Sequence, residues 1–157
     1  MNHARSLAVR LYAAAALAYA ADRVTKVLAE SALAGRPPVT IIPGVLDLRY
    51  TTNSGGAFGL GQSAPWLFAG ATIAVAIAIV VASFRLTRTS IAVSLGLILG
   101  GALGNLTDRL ANGSGFLSGR VVDFVDVHVW PVFNLADSSI VVGALLLALV
   151  GLRREDK

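Results

Sequence analysis

Nine polar side chains stand where so apolar a chain has little use for them. Asp22 and Lys26 lie one helical turn apart in DRVTK. Asn53 sits in TTNSGGAFG. Asn105, Asp108 and Arg109 close the run GGALGNLTDR, and Asp123, Asn134 and Asp137 come later in VVDF and FNLADSS. The chemistry open to such a set is narrow. The chain has no cysteine, and its two histidines are His3 and His128. A thiol nucleophile, a disulfide and a histidine metal cluster are therefore not expected. Carboxylates remain. Two that approach within about 3 Å cannot both ionise, so such a pair keeps one proton near neutral pH. The ionised member can take a proton from water while the protonated member hydrogen-bonds a carbonyl. This chemistry needs neither metal nor cofactor.

Each residue also has a plainer reading. Asp22–Lys26 fits an ion pair at a membrane interface, and Asp108–Arg109 fits a helix-end pair. Asp137 fits a helix N-terminus, where the dipole favours a carboxylate. Asn105 and Asn134 fit hydrogen-bonded contacts between helices. Asp126 and His128 read as ordinary loop residues. The functional reading gains because the set gathers at one end of the elements that carry it.

Those elements follow from composition. Of 157 residues, 55% are hydrophobic and 14% charged, with a mean hydropathy of +0.72. A soluble domain carries about 25% charged residues, so one integral membrane domain is expected, with no separate soluble domain. The net charge of +4 comes from basic residues scattered singly, which does not suggest a nucleic-acid surface.

A span needs about 20 apolar residues. Pro65–Phe84 and Ser90–Thr107 carry no charge, and Ala136–Leu152 is short but apolar. Gly96, Gly100 and Gly104 recur on one face of the second of these, as close helix packing requires. The first segment is ambiguous. Leu11–Ala21 is flanked by Arg10 and Asp22 and also reads as a secretory leader ending in AYA. As a span it requires Arg10 to snorkel and Asp22 to face protein. The expected fold is all-α, with four transmembrane helices over about 8–28, 65–84, 90–107 and 136–152. The connections over about 31–64 and 110–135 then share one side, taken as the outer one, with both termini inside. VLDLRYTTN alternates with a period near two, so a small sheet is expected on the outer membrane surface.

With the blocks DRVTK, TTNSGGAFGL, GGALGNLTDRL and VVDF…FNLAD in this order on a four-span plan, the chain resembles the bacterial lipoprotein signal peptidases, signal peptidase II. The resemblance implies an aspartic endopeptidase of the bacterial cytoplasmic membrane with its site toward the outer face. Its substrate is a prolipoprotein whose cysteine already carries diacylglycerol, cut just before that cysteine. It implies Asp123 and Asp137 as the catalytic pair. Asp22, Lys26, Asn53, Asn105, Asp108, Arg109 and Asn134 would line or shape the pocket, and Gly101 and Gly104 would permit close packing. No cofactor is implied. Cyclic peptides of the globomycin type are implied as inhibitors, and membrane lipid as a partner.

Residues 111–120, ANGSGFLSGR, lengthen the path from Arg109 to Asp123, whereas Asp123 to Asp137 is compact. Asp126 is an alternative partner for Asp137, but VVDF matches the family and DVH does not. An extended substrate is expected to add backbone hydrogen bonds along Asp47–Tyr50. A small transporter or proton conductor with carboxylates between its helices is the competing function. A lipid phosphatase would want more Arg and His than Arg109 offers.

Overall fold

The buried positions of the first helix set the architecture. In the computed structural model, which describes residues 2–55, 65–113 and 117–152, α1 runs Asn2–Leu33. Its buried residues are Leu7, Leu11, Ala15, Ala18, Asp22, Lys26, Ala29 and Leu33. The steps run 4, 4, 3, 4, 4, 3 and 4, an eleven-residue pattern close to the 3.6 period of a straight helix, so one stripe packs along its whole length on a near-parallel partner. Asp22 and Lys26 thus occupy core positions of the stripe. Val9, Leu17, Val24, Val27 and Leu28 are exposed on the other side.

The partner is α3, Thr89–Ala111. Its glycines make the contact close. A Cβ on Gly96 would collide with the backbone oxygen of Leu11, and one on Gly100 with that of Ala15. One turn on, a Cβ on Gly104 would collide with the Asp22 carboxylate. Gly101 points elsewhere, against Ala136 and Ile140 of α4, Leu135–Leu152. Small residues on two faces of α3 let it lie between α1 and α4. The segment 11–21 therefore contributes Leu11, Ala15 and Ala18 to the core. Helix α2, Pro65–Ser83, packs on α3 through Ile79.

Among the described residues, three helices are long and apolar enough to cross a membrane: Trp66–Ser83, Thr89–Ala111 and Leu135–Leu152. All three coincide with expected spans to within a few residues. Helix α1 is set apart by its charges, although two of them, Asp22 and Lys26, are fully buried in protein.

The sheet has three antiparallel strands in the order β1 (Val39–Ile42), β2 (Leu46–Asn53), β3 (Val121–Asp126). The alternation in VLDLRYTTN is thus a strand. Its expected pairing with substrate is excluded at Asp47 and Leu48, which lie between β1 and β3, while β1 does not reach Arg49 and Tyr50. Thr40 pairs with Asp47 on one side and Asp126 pairs with it on the other, so its backbone is taken. β3 lies within the expected outer loop. A bulge between Leu48 and Thr51 shifts the β2–β3 register.

The insertion at 111–120 is folded back on the end of α3. Gly119 donates to the Arg109 carbonyl, and Arg120 to that of Asn112. It satisfies carbonyls that a helix C-terminus leaves unpaired. Its residues 114–116 lie outside the described residues, as do Ala57 and Phe58 of the second block and the basic C-terminal end from Arg153.

The glycine contacts generate a stability prediction. Gly100→Val should cost about 2–3 kcal/mol by overpacking the α1–α3 contact. Gly70→Ala, in helix α2 where nothing lies within 4 Å of the new Cβ, should be neutral or slightly stabilising. Thermal unfolding in detergent reads both.

Candidate active site

Two polar clusters meet where α1, α3, α4 and β3 converge. The inner one is ionic. Lys26 Nζ lies 2.9 Å from Asp22 Oδ2 and 2.8 Å from Asp108 Oδ2. Arg23 completes it through Asp108 Oδ1. Two carboxylates thus face two cations, and the buried charge balances. Asp22 Oδ1 accepts the backbone N–H of Ala136 at 3.0 Å, which ties α1 to the first turn of α4. Asp108 Oδ2 accepts the Val122 N–H at 3.2 Å, which ties α3 to β3. Asp108 is therefore not paired with its neighbour Arg109.

The second cluster is built of amides and carboxyls. Lys26 Nζ donates to Asn105 Oδ1 at 2.9 Å, and Asn105 Nδ2 donates to Asp137 Oδ1 at 2.8 Å. Asn134 is fully buried and serves both acids. Its Nδ2 donates to Asp123 Oδ1 at 2.7 Å, and its backbone N–H to Asp137 Oδ2 at 3.2 Å. Its Oδ1 accepts the Asp137 N–H at 2.9 Å, an N-cap three residues before Asp137. Asp137 thus belongs to a helix cap, and it also faces a cavity.

That cavity, of about 450 Å³, is lined by Asn53, Asn105, Arg109, Asp123 and Asp137 at its polar end. Phe68 and Val75 of α2, Ile98 of α3 and Ile140 of α4 form apolar walls, and Trp130–Phe133 closes another side. Asp123 is 3% exposed. Burial, and then the neighbouring Asp137 charge, push its carboxyl up to about 7, against hydrogen bonds from Asn134 and Asn53 and the Lys26 charge. Arg109 donates to the Gly55 carbonyl at 2.8 Å and stacks over Phe68 with 5.7 Å to the ring centroid.

Of the residues singled out from sequence, Asn53, Asn105, Arg109, Asp123 and Asp137 line the cavity. Asp22, Lys26, Asp108 and Asn134 stand behind it, fully buried or nearly so. Gly101 and Gly104 lie in helix contacts. Asp126 is three residues beyond Asp123 on β3, hence on the opposite face, and pairs with Arg49. Sequence reasoning missed Arg23, whose only signal was its place beside Asp22. It also missed the Trp130–Phe133 wall, which falls within the connection expected over about 110–135. No group of three or more His, Cys, Asp or Glu side chains is placed to hold a metal ion among the described residues.

Residues 14–153 match the family described as Signal peptidase (SPase) II. The chain belongs to that family. It is 41% identical over 152 residues to a lipoprotein signal peptidase of Rhodococcus jostii, covering 97% of this chain and 76% of the relative. It is 43% identical over 144 residues to one of Desulfitobacterium hafniense, covering 90% and 91%. Two solved bacterial membrane enzymes share the fold. One, at 2.3 Å resolution, has a TM-score of 0.80 at 29% identity over 91% of this chain and 87% of its own. The other, at 1.9 Å, has 0.76 at 30% identity over 90% and 92%.

Lys26→Met leaves Asp22 and Asp108 buried with Arg23 as their remaining cation. Breaking a buried pair in this way should cost about 3–5 kcal/mol, read as a lower unfolding midpoint in detergent.

Proposed function

We propose that this chain is an aspartic endopeptidase that removes the signal peptide from diacylglyceryl-modified prolipoproteins, cutting before the lipidated cysteine. Family membership supports the substrate class. The observation that carries the mechanism is the pair of carboxyls, from β3 and α4, that line one cavity and share Asn134.

The two acids have different surroundings. Both Asp137 oxygens accept N–H donors, from Asn105 and from the Asn134 backbone, at the N-terminus of α4. That arrangement suits a carboxylate. Asp123 is the better proton holder, its carboxyl pushed up to about 7. In the proposed reaction Asp137 removes a proton from water as the oxygen attacks the scissile carbonyl. Asp123 gives its proton to the carbonyl oxygen, forming a neutral gem-diol. As the diol collapses, Asp123 takes back a hydroxyl proton and the proton on Asp137 passes to the leaving amine. The dyad with one proton carries a single negative charge, and Arg109, electrostatically coupled to both acids, balances it.

The same reading gives the placement. Helix α1 is the fourth span, because Asp22 and Lys26 face protein while Val9, Leu17, Val24, Val27 and Leu28 face outward. Both termini lie on the cytoplasmic side of the bacterial inner membrane, and the sheet and the dyad lie at its outer surface. There the acyl chains stay in the bilayer, against the apolar walls of the cavity, while water reaches the carboxyls. A globomycin-type cyclic peptide would occupy the same cavity. Nothing favours a transporter, since the acids cluster at one end of the bundle beside the cations that neutralise them.

The test uses purified protein in detergent with diacylglyceryl-modified and unmodified prolipoprotein. Asp123→Asn and Asp137→Asn should each lower kcat at least about a thousandfold. Retained activity in either, or equal cutting of unmodified substrate, would overturn the proposal. A pH prediction follows from the direction of the Asp123 shift. Its proton is present below about 7 and lost above, so kcat/KM should fall as pH rises through that value. The limb belongs to the coupled pair, and a profile flat to about pH 9 would count against Asp123 as the acid.

A further inference from the structure

The face of β3 that points away from the dyad carries a second polar cluster. The β2–β3 register sets Asp47 directly opposite Asp126. Like charges facing each other across strands repel, and both side chains are largely covered, at 18% and 11% exposure. Two side chains lie against them. Arg49 Nε lies 2.7 Å from Asp126 Oδ2. His128 Nε2 lies 3.3 Å from Asp47 Oδ2, while its Nδ1 is 4.0 Å from Asp126 Oδ1. The His128 backbone N–H also donates to Asp126 Oδ1, at 2.8 Å. Asp47, Arg49 and Asp126 are the charged groups facing the imidazole, from β2 and β3.

His128 holds an unusual backbone. Its φ is +61°, and the Val129 N–H donates to the Val127 carbonyl at 2.7 Å. This is a γ-turn in the positive-φ form, rare and strained for a residue with a side chain. Such strain persists where surrounding contacts over-determine it, and the clasp by two aspartates supplies those contacts. The turn launches the next stretch of chain toward the site. Trp130, Pro131, Val132 and Phe133 form one wall of the dyad's cavity. The chain then returns to β3, where Val125 and Phe133 exchange backbone hydrogen bonds of 2.9 and 3.0 Å. The wall is a short excursion with both feet on one strand, and the direction in which it leaves is decided at His128.

We infer that His128, clasped between Asp47 and Asp126, is a positioning residue that sets the Trp130–Phe133 wall and so determines how tightly the cavity holds its lipid-modified substrate. This rests on the peptidase reading above. The effect falls on binding, because the two acids are oriented by hydrogen bonds from Asn53, Asn105 and Asn134, which the clasp does not touch. The imidazole is 40% exposed, so its removal leaves the core intact.

His128→Gly keeps the positive φ without steric cost and keeps the backbone N–H to Asp126, but removes the imidazole from between the two aspartates. It should raise KM for diacylglyceryl-modified prolipoprotein roughly tenfold, the scale of one lost contact to a charged group, with kcat within about twofold. Asp47→Ala should do the same. His128→Gln, which keeps a donor at the reach of Nε2, should restore KM. A second readout needs no substrate. The chain has two tryptophans, Trp66 and Trp130, so in a Trp66→Phe background acrylamide quenching reports on the wall alone. Quenching should rise in His128→Gly and return in His128→Gln. Unchanged quenching, or a loss of kcat with KM held, would overturn the inference. Absence of cleavage in the parent protein would sink the peptidase reading while quenching still decides the clasp.

Discussion

A buried ammonium group organises this molecule. Lys26 is 1% exposed and reaches Asp22, Asp108 and Asn105 at once. A lone ammonium in an apolar bundle is costly enough that it would lose its proton or its burial. Here it is retained because each neighbour offers it an acceptor and each also binds something else. Asp22 holds the first turn of α4, and Asp108 holds β3 at Val122. The lysine thus fixes where four elements meet, and the glycines of α3 make the meeting possible. With a Cβ on Gly104 the Asp22 carboxylate would have no room.

The same charge orders the amides. An ammonium only donates, so Asn105 must present Oδ1 to Lys26 and Nδ2 to the opposite side. On that side is Asp137, which accepts. The orientation of Asn105 is therefore dictated from both ends. Asn134 is similarly constrained, its Nδ2 toward Asp123 and its Oδ1 toward the Asp137 N–H. Two amides that are each free to flip in isolation are locked by their neighbours' donors and acceptors. The result is a pair of acids held in unlike surroundings by neutral groups, and unlike surroundings separate an acid role from a base role in a carboxyl pair.

Much of this was legible in the sequence. The apolar runs marked α2, α3 and α4 to within a few residues, and the glycine spacing marked α3 as a helix packed closely on a neighbour. The polar residues that looked misplaced near lipid do converge. Partnership could not be read. Asp108 next to Arg109 suggested a local pair, yet their side chains leave the helix in different directions. One goes to α1 and the other to Gly55 and Phe68. Spacing along one helix says which residues share a face and nothing about which helix lies across from it. β3 was missed for a related reason. VVDFVD has the β-branched residues of a strand, but its burial runs through Val121, Val122 and Asp123 without alternating. β2, half-exposed, kept the period of two that reveals a strand. It did not reveal that Asp47 and Leu48 are flanked on both sides, since period says that a strand exists and not which strands flank it.

The three-residue step from Asp123 to Asp126 shows how much depends on those flanking elements. It puts one carboxyl toward the cavity and the other toward Arg49 and His128. A single six-residue strand then carries the proposed chemistry on one face and the support of the cavity wall on the other. Its backbone is held from three directions: by β2, by Phe133, and by Asp108 and Asn134 at Val122. A strand so pinned cannot tilt to favour one face without breaking bonds on the other. From sequence, Asp126 and His128 read as loop residues, because a γ-turn clasp has no periodicity to reveal it. It becomes visible once the register sets Asp47 against Asp126 and the repulsion between them demands a partner.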